Sequence, residues 1–109
     1  MKKSFWLSYD LGLKGDYEGL YTFLDNLGAV ECVNNLAYFT YDCKTKDYPL
    51  EIKKALGEHV NLGKNDRIYI TWRSETGSIL GRFLFGGRKR SPWEGYGSVT
   101  TQDESDVAQ

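Results

Sequence analysis

The sequence predicts an α+β domain in which an antiparallel sheet is covered on one face by two helices. Several segments alternate apolar and polar residues, which is the period of a strand with two different faces. Two other segments repeat apolar residues at intervals of three or four, the period of an amphipathic helix. At 109 residues the chain has room for a single hydrophobic core.

The first half of the chain predicts a strand, a helix and a hairpin. Alternation over residues 5–10 indicates the first strand. Asp16 is the predicted N-cap residue of a helix that ends before Gly28. The apolar side of this helix carries Tyr17, Leu20, Leu24 and Leu27. The pair Asn34-Asn35 joins the strand-like runs AVECV and LAYFTYD, because asparagine tolerates the positive φ of a tight turn.

The second half predicts another helix and two more strands. Asp47 and Pro49 mark the beginning of the helix, which ends before Gly63. Its buried side carries Ile52, Leu56 and Val60. The alternating run RIYITWR, residues 67–73, indicates the fourth strand. The turn SETG then leads into a fifth strand, SILGRFLF, which ends at Gly86.

This order of elements, βαββαβ followed by an additional C-terminal strand, is that of the ferredoxin-like fold. In that fold both helices lie on one face of an antiparallel sheet whose first and third strands are central. Alternation assigns to the helix-covered face Phe5, Leu7, Tyr9, Ala37, Phe39, Tyr41, Ile68, Ile70 and Trp72. The opposite face, called the open face below, carries Trp6, Ser8, Asp10, Leu36, Tyr38, Thr40, Tyr69, Thr71 and Arg73.

Charge is distributed unevenly near the C-terminus. Residues 79–97 carry four cations and one glutamate, a net charge of +3, whereas residues 98–109 carry three carboxylates and no cation. The last twelve residues also lack large apolar side chains. We therefore expect residues 1–97 to form the domain and residues 98–109 to form a disordered acidic tail.

Two whole-chain features indicate the compartment. No apolar run reaches the roughly 20 residues of a membrane helix, and Asp10 interrupts the basic and apolar start of the chain that a signal peptide needs. We expect a cytoplasmic protein without a membrane partner. Cys32 and Cys43 are too few for a zinc site or a disulfide framework, and the predicted hairpin separates them. Two reduced thiols are expected.

Asp10 is the candidate catalytic and metal-binding residue. Antiparallel pairing places it beside the Asn34-Asn35 turn and the start of the fourth strand, Asp66-Arg67. A carboxylate in that position is suited to hold Mg²⁺, which keeps several waters, and to activate water against a phosphodiester. The alternative is structural: Asp10 caps the turn before Gly12, or it pairs with Arg67.

The segment GGRKRSPWEGYG, which follows the fifth strand, combines cations with aromatic residues. Cations neutralise phosphates and aromatic rings stack on bases, so the segment favours binding of single-stranded nucleic acid or a nucleotide. The predicted nucleic-acid-binding residues are Arg67, Arg82, Arg88, Lys89, Arg90, Trp93 and Tyr96. The alternative is a solvated arm, or a segment whose tryptophan packs on its own or a neighbouring subunit.

Trp6, Tyr38 and Tyr69 make the open face aromatic. Such residues stack RNA bases in RRM domains, but the Gly- and Phe-rich RRM signatures are missing from the first and third strands. A two-fold homodimer is the commoner way to bury an apolar patch. These residues are therefore the predicted dimer interface.

Two further kinds of site are not expected. The spacing of Gly12, Gly15 and Gly19 matches neither the dinucleotide-binding nor the P-loop pattern. Asp16 also places a negative charge at the helix N-terminus, where a phosphate would have to bind. His59 is the only histidine and has no serine or cysteine partner at a recognisable spacing, so a Ser-His or Cys-His hydrolase is not expected.

The chain resembles the SinR-like and VapD-like proteins and the CRISPR adaptation subunit of related fold. The matching residues are Tyr9-Asp10, Asp16-Tyr17-Glu18, Leu20, Leu24, Gly28 and the Asn34-Asn35 hairpin, and the element order agrees over residues 4–85. This resemblance implies a homodimer in which the Asp10 side chains of two subunits face each other, and a metal-dependent nuclease activity. The segment after the fifth strand has no counterpart in those families.

The resulting functional prediction is a homodimer that binds nucleic acid or a nucleotide, with Mg²⁺-dependent endoribonuclease activity at Asp10. The alternative is a non-enzymatic protein of a defence system or mobile element that oligomerises or binds a nucleotide signal. Cleavage of RNA that depends on Mg²⁺ separates the two.

Overall fold

The computed structural model describes residues 1–97, and its elements follow the predicted order. The strands are β1 (Lys2–Asp10), β2 (Val30–Val33), β3 (Leu36–Asp42), β4 (Arg67–Arg73) and β5 (Ile79–Phe85). The helices are α1 (Tyr17–Asn26) and α2 (Tyr48–His59). The predicted acidic tail, residues 98–109, lies outside the described residues.

The strands form an antiparallel sheet in the order β2-β3-β1-β4-β5. β1 lies between β3 and β4, as predicted for the first strand, and Phe5 is opposite Phe39 on one side and Trp72 on the other. At the start of β4, Asp10 is opposite Arg67. The α+β class and the antiparallel sheet predicted from the sequence are therefore confirmed.

β5 extends the sheet beyond β4, and an irregularity between Ile68 and Tyr69 shifts its register. Phe83 is opposite Tyr69, whereas Arg82 is opposite Ile70. Because directly opposed residues share a face of the sheet, Phe83 lies on the open face and Arg82 lies on the helix-covered face.

Both helices pack on the face of the sheet that the alternation assigned to the core. Side chains with no exposed surface come from the sheet and from both helices: Phe5, Leu7, Leu20, Ile52, Leu56, Ile68 and Ile70. Burial of each such side chain contributes about 1.5–3 kcal/mol. Ser8 and Thr40, on the opposite face, remain exposed. The sheet therefore has one covered face and one open face.

The ends of α1 form at the residues that the sequence indicates. Asp16 accepts a hydrogen bond from the backbone N–H of Gly19 at 2.9 Å and so caps the first turn. Gly28 has a φ of 69°, and the N–H of Ala29 returns to the carbonyl of Leu24 at 3.0 Å. A glycine in the left-handed region is the usual C-terminal end of a helix, so α1 ends before β2 begins.

Two further features concern the cysteines and the helices of the described residues. Cys32 and Cys43 are both free, and burial raises the pKa of the Cys43 thiol. None of the described helices has the length and apolar character needed to cross a membrane.

Candidate functional site

A groove of about 860 Å³ lies at the edge of the sheet where β1 ends and β4 begins. One wall is the β1–α1 loop, residues 11–15, and the other is the α2–β4 loop, residues 61–66. Asp10 and Lys89 complete the lining. Two loops that are distant in the sequence therefore form this site together.

Asp66 holds the two walls together. Its Oδ1 accepts the backbone N–H of Gly12 at 2.7 Å, and its Oδ2 accepts the backbone N–H of Gly63 at 2.7 Å. The residue is buried, with 5% of its surface exposed. Hydrogen bonds from amides to a charged acceptor are short and strong, so both carboxylate oxygens serve loop structure.

Asp16 is a second link between the same loops. Its Oδ1 accepts the Gly19 N–H within α1, while its Oδ2 accepts the N–H of Asn61, which follows α2, at 2.9 Å. The Asn61 amide, followed by the Gly19 amide, lowers the pKa of the Asp16 carboxyl below its usual value. Asp16 is therefore negatively charged at neutral pH, and the N-terminus of α1 already has an anion.

The cations of the groove come from three separate segments. Lys14 lies on the β1–α1 loop, Lys64 on the α2–β4 loop and Lys89 after β5. Among residues 1–97, none of these three lysines forms an ion pair or a hydrogen bond through its side chain. Of the two aspartates of the groove, Asp66 is occupied by backbone amides. The groove thus offers three ammonium groups to a ligand.

Asp10 pairs with Arg67, which is one of the two structural roles that the sequence allowed. Arg67 Nη2 lies 2.7 Å from Asp10 Oδ2. The Asp10 side chain is 60% exposed, so the pair contributes at most about 1 kcal/mol. The other predicted structural role, capping the turn before Gly12, belongs to Asp66 instead. The Arg67 Nε is buried and has no hydrogen-bond partner among the described residues.

The carboxylates around Asp10 are few. Residues 1–97 contain no group of three or more histidine, cysteine, aspartate or glutamate side chains placed to hold a metal. One Asp10 oxygen faces a guanidinium, which disfavours a second cation there, and Asp66 is buried with both oxygens occupied. Asp10 is therefore the single exposed carboxylate that this groove offers.

The predicted nucleic-acid-binding residues are divided between different surroundings. Lys89 lines the groove. Arg88 lies over the ring of Phe83 at 6.0 Å, and Arg90 pairs with Glu94 at 3.4 Å. Trp93 and Tyr96 follow in an exposed segment without regular secondary structure and contribute no lining to the groove.

Arg82, another predicted binding residue, does not line the groove. It occupies the helix-covered face of β5, where its guanidinium is 5.8 Å from the ring centre of Trp72. It is also 3.5 Å from Asp47, the N-cap residue of α2. Arg82 therefore joins β5 to α2 and does not share a surface with Asp10.

The open face carries two aromatic pairs. Trp6 and Tyr38, on neighbouring strands, have ring centres 5.2 Å apart. Tyr69 and Phe83 are 4.8 Å apart with a nearly perpendicular edge-to-face geometry. The three predicted interface residues therefore share this face with Phe83, which the sequence reasoning had not assigned to it.

Lys14, Lys64, Asp66 and Phe83 are the site residues that sequence reasoning missed. The two lysines stand in short glycine-containing turns, GLKGD and LGKND, which read as ordinary loops when each is taken alone. Only the fold brings these turns together. For Phe83 a signal existed in the alternation of β5, but the register shift beside Tyr69 obscures it.

Comparison with known proteins identified no relative: no family model, no curated protein and no solved structure matches the chain significantly. The resemblance to SinR-like and VapD-like proteins therefore stays a prediction.

Proposed function

We propose that the protein binds nucleic acid or a nucleotide through its phosphates, in the groove between the β1–α1 and α2–β4 loops. The observation that carries this proposal is the convergence of Lys14, Lys64 and Lys89 on one groove without ion-pair partners among the described residues. Lysine is a common phosphate ligand because it presents a compact positive charge. A groove of about 860 Å³ also has the size of a small-ligand site.

Charge at the scale of the whole chain agrees with a local binding site. The net charge is −1, so the protein is not a general polycation that coats nucleic acid. Affinity has to come from the few cations that face the ligand. The strand order β2-β3-β1-β4 with β5 added at one edge supports the finer proposal that the domain is ferredoxin-like.

A triple variant with Lys14→Gln, Lys64→Gln and Lys89→Gln tests the groove. Each lysine that contacts a phosphate releases a counterion, so the slope of log affinity against log salt for a single strand should fall by about 2. The measurement is fluorescence anisotropy of a labelled oligonucleotide over a series of salt concentrations. The matched control changes Lys2, Lys46 and Lys54, which are exposed and lie outside the groove, to glutamine. Equal affinity and slope in the two triple variants would rule the groove out.

Magnesium-dependent ribonuclease activity is a second candidate. It is favoured by the exposure of Asp10 in the same groove. Asp10 would have to release the Arg67 guanidinium before that oxygen could bind a metal ion. A second carboxylate would have to come from another copy of the chain, as the resemblance implies. This candidate therefore depends on the predicted homodimer.

The cleavage test uses labelled single-stranded RNA with Mg²⁺, with and without chelator. If the second candidate is correct, Asp10→Asn should abolish a chelator-sensitive cleavage, while Asp25→Asn, an exposed aspartate on α1, should leave it intact. Undiminished cleavage by the Asp10→Asn protein would exclude Asp10 from catalysis. Absence of cleavage by the parent protein would leave binding as the function.

The homodimer predicted from the sequence would cover the open face. The same face would serve the alternative function, that of a non-enzymatic protein which oligomerises or binds a nucleotide signal. Two apolar side chains of β2 are exposed near this face: Val30 is opposite Tyr38, and Val33 is opposite Leu36. Light scattering at several protein concentrations measures whether a second copy occupies this surface.

A further inference from the structure

We infer that the ligand of the groove is a single-stranded nucleic acid, one of whose bases stacks on Tyr69 while its phosphates lie against the groove lysines. This inference rests on the proposed phosphate-binding groove and extends it onto the open face. Tyr69 would receive the base, so the site would bind single strands in preference to duplexes.

The side chain of Tyr69 reaches across the sheet to Gly81 on the adjoining strand. A Cβ atom placed on Gly81, which is opposite Thr71 on the adjoining strand, would come within 2.7 Å of two ring atoms of Tyr69 and closer still to its hydroxyl. The ring therefore covers Gly81 and occupies the space that any side chain there would need. Tyr69 is half-buried, so one side of its ring covers the sheet and the other is left for a base to stack on.

Phe83 supports this ring, and a cation lies next to Phe83. Phe83 meets Tyr69 edge-to-face at 4.8 Å, a favoured geometry for aromatic pairs. The guanidinium of Arg88 lies over the ring of Phe83, 6.0 Å from its centre. Tyr69 is thus supported by Phe83, and the cation over Phe83 lies on the same side of the site, which suits a base attached to an anionic backbone.

Tyr69 and the groove are adjacent. Asp10, which lines the groove, is opposite Arg67, and two residues farther along these strands Ser8 is opposite Tyr69. Two residues of a strand span roughly 7 Å, and residues that far apart share a face of the sheet. Ser8 is small and exposed, so it leaves the path between the groove and the ring open. A strand whose phosphates bind the lysines therefore has a stacking surface within reach of its next base.

This geometry favours single strands over duplexes. In a duplex the bases are paired and stacked on one another, and an exposed protein ring has no base face to meet. In a single strand a base turns out of the stack at little cost, and aromatic platforms accept every base because each has a π face. Charge alone, in contrast, would favour the duplex, because its phosphates are more closely spaced.

The experiment compares three labelled probes: a single-stranded octamer of deoxyadenosine, a single-stranded octamer of abasic residues, and a blunt-ended DNA duplex. We expect Tyr69→Leu to weaken binding of the deoxyadenosine octamer roughly tenfold and to leave the abasic octamer and the salt slope unchanged. Tyr21→Leu is the matched control, since Tyr21 is an exposed tyrosine on α1, in the helix layer on the opposite side of the sheet.

Gly81→Ala provides a second variant that keeps the tyrosine. The new methyl group displaces the Tyr69 ring, so we expect the same loss for the deoxyadenosine octamer with an unchanged circular dichroism spectrum. Gly57→Ala, where an added Cβ meets no atom within 4 Å, is its control. Because Gly81→Ala keeps the tyrosine and only moves its ring, it shows whether weaker binding comes from the position of the ring or from damage to the fold caused by removing Tyr69.

The outcomes distinguish this inference from the proposal on which it rests. Equal binding of base-bearing and abasic octamers by the parent protein, or equal binding of single strand and duplex, overturns the stacking inference and leaves the groove in place. If Tyr69→Leu and Gly81→Ala both bind with unchanged affinity but dissociate a dimer, Tyr69 belongs to a subunit interface. That result also overturns the stacking inference. Failure of the parent protein to bind any probe overturns the groove as well.

Discussion

Replacement of Asp66 by alanine should destabilise the protein by about 3 kcal/mol, although Asp66 lies in a loop. The carboxylate accepts one backbone N–H from each of two loops and is almost completely buried. Alanine leaves both amides without their partner, and a hydrogen bond to a charged group contributes a net of about 1.5–3 kcal/mol. Urea unfolding followed by circular dichroism measures the change in the free energy of unfolding.

The control for this prediction is Asp25→Ala on α1. Asp25 is exposed, and no hydrogen bond or ion pair of its side chain is found within residues 1–97. We expect this variant to lie within about 0.5 kcal/mol of the parent protein. A similarly small effect for Asp66→Ala would mean that the two loops do not depend on the buried carboxylate.

Binding should also respond to Asp66→Ala, because the carboxylate positions the loops that carry Lys14 and Lys64. All three groove lysines remain in this variant. We therefore expect weaker binding of a labelled oligonucleotide under conditions where the variant is still folded. Loss of affinity in a protein that retains every cation would show that the spacing of the charges matters as well as their number.

The regular elements were predictable because their signals are local. The bounds of β3 and β4 agree with the runs LAYFTYD and RIYITWR, in which alternation continues to the last residue. Asp16 and Gly28 fixed the ends of α1, since capping depends on residues within one turn of the helix. The hairpin also formed where expected, although Asn35 takes a positive φ and Asn34 does not.

The candidate site was only partly predictable because it depends on contacts between distant residues. The proximity of Asp10 and Arg67 followed from antiparallel pairing, and their ion pair confirms one of the structural alternatives. The role of Asp66 did not follow, because its partner Gly12 is 54 positions away and nothing in either loop identifies the other. The grouping of Arg82 with the basic segment was based on nearness in sequence, whereas the face of β5 decides its surroundings.

Gly86→Ala should be the second strongly destabilising substitution, by about 2–4 kcal/mol. Gly86 follows β5 with a φ of 74°, a region that alanine adopts only with strain. An added Cβ would also lie 2.6 Å from the backbone carbonyl oxygen of Asp66. Because a backbone atom cannot turn aside as a flexible side chain does, the overlap adds to the strain. Thermal unfolding should show a clear decrease in the midpoint.

Gly87→Ala is a control that differs by one position. At Gly87 an added Cβ meets no atom within 4 Å, and its φ lies outside the positive region, so we expect a change within about 0.5 kcal/mol. Both glycines precede the segment that brings Lys89 to the groove, but only Gly86 is pressed against the start of β4. If the two substitutions are equally tolerated, the close approach of Gly86 to Asp66 does not hold that segment in place. If Gly86→Ala alone is destabilising and also weakens oligonucleotide binding, the contact that ends β5 is the one that positions Lys89.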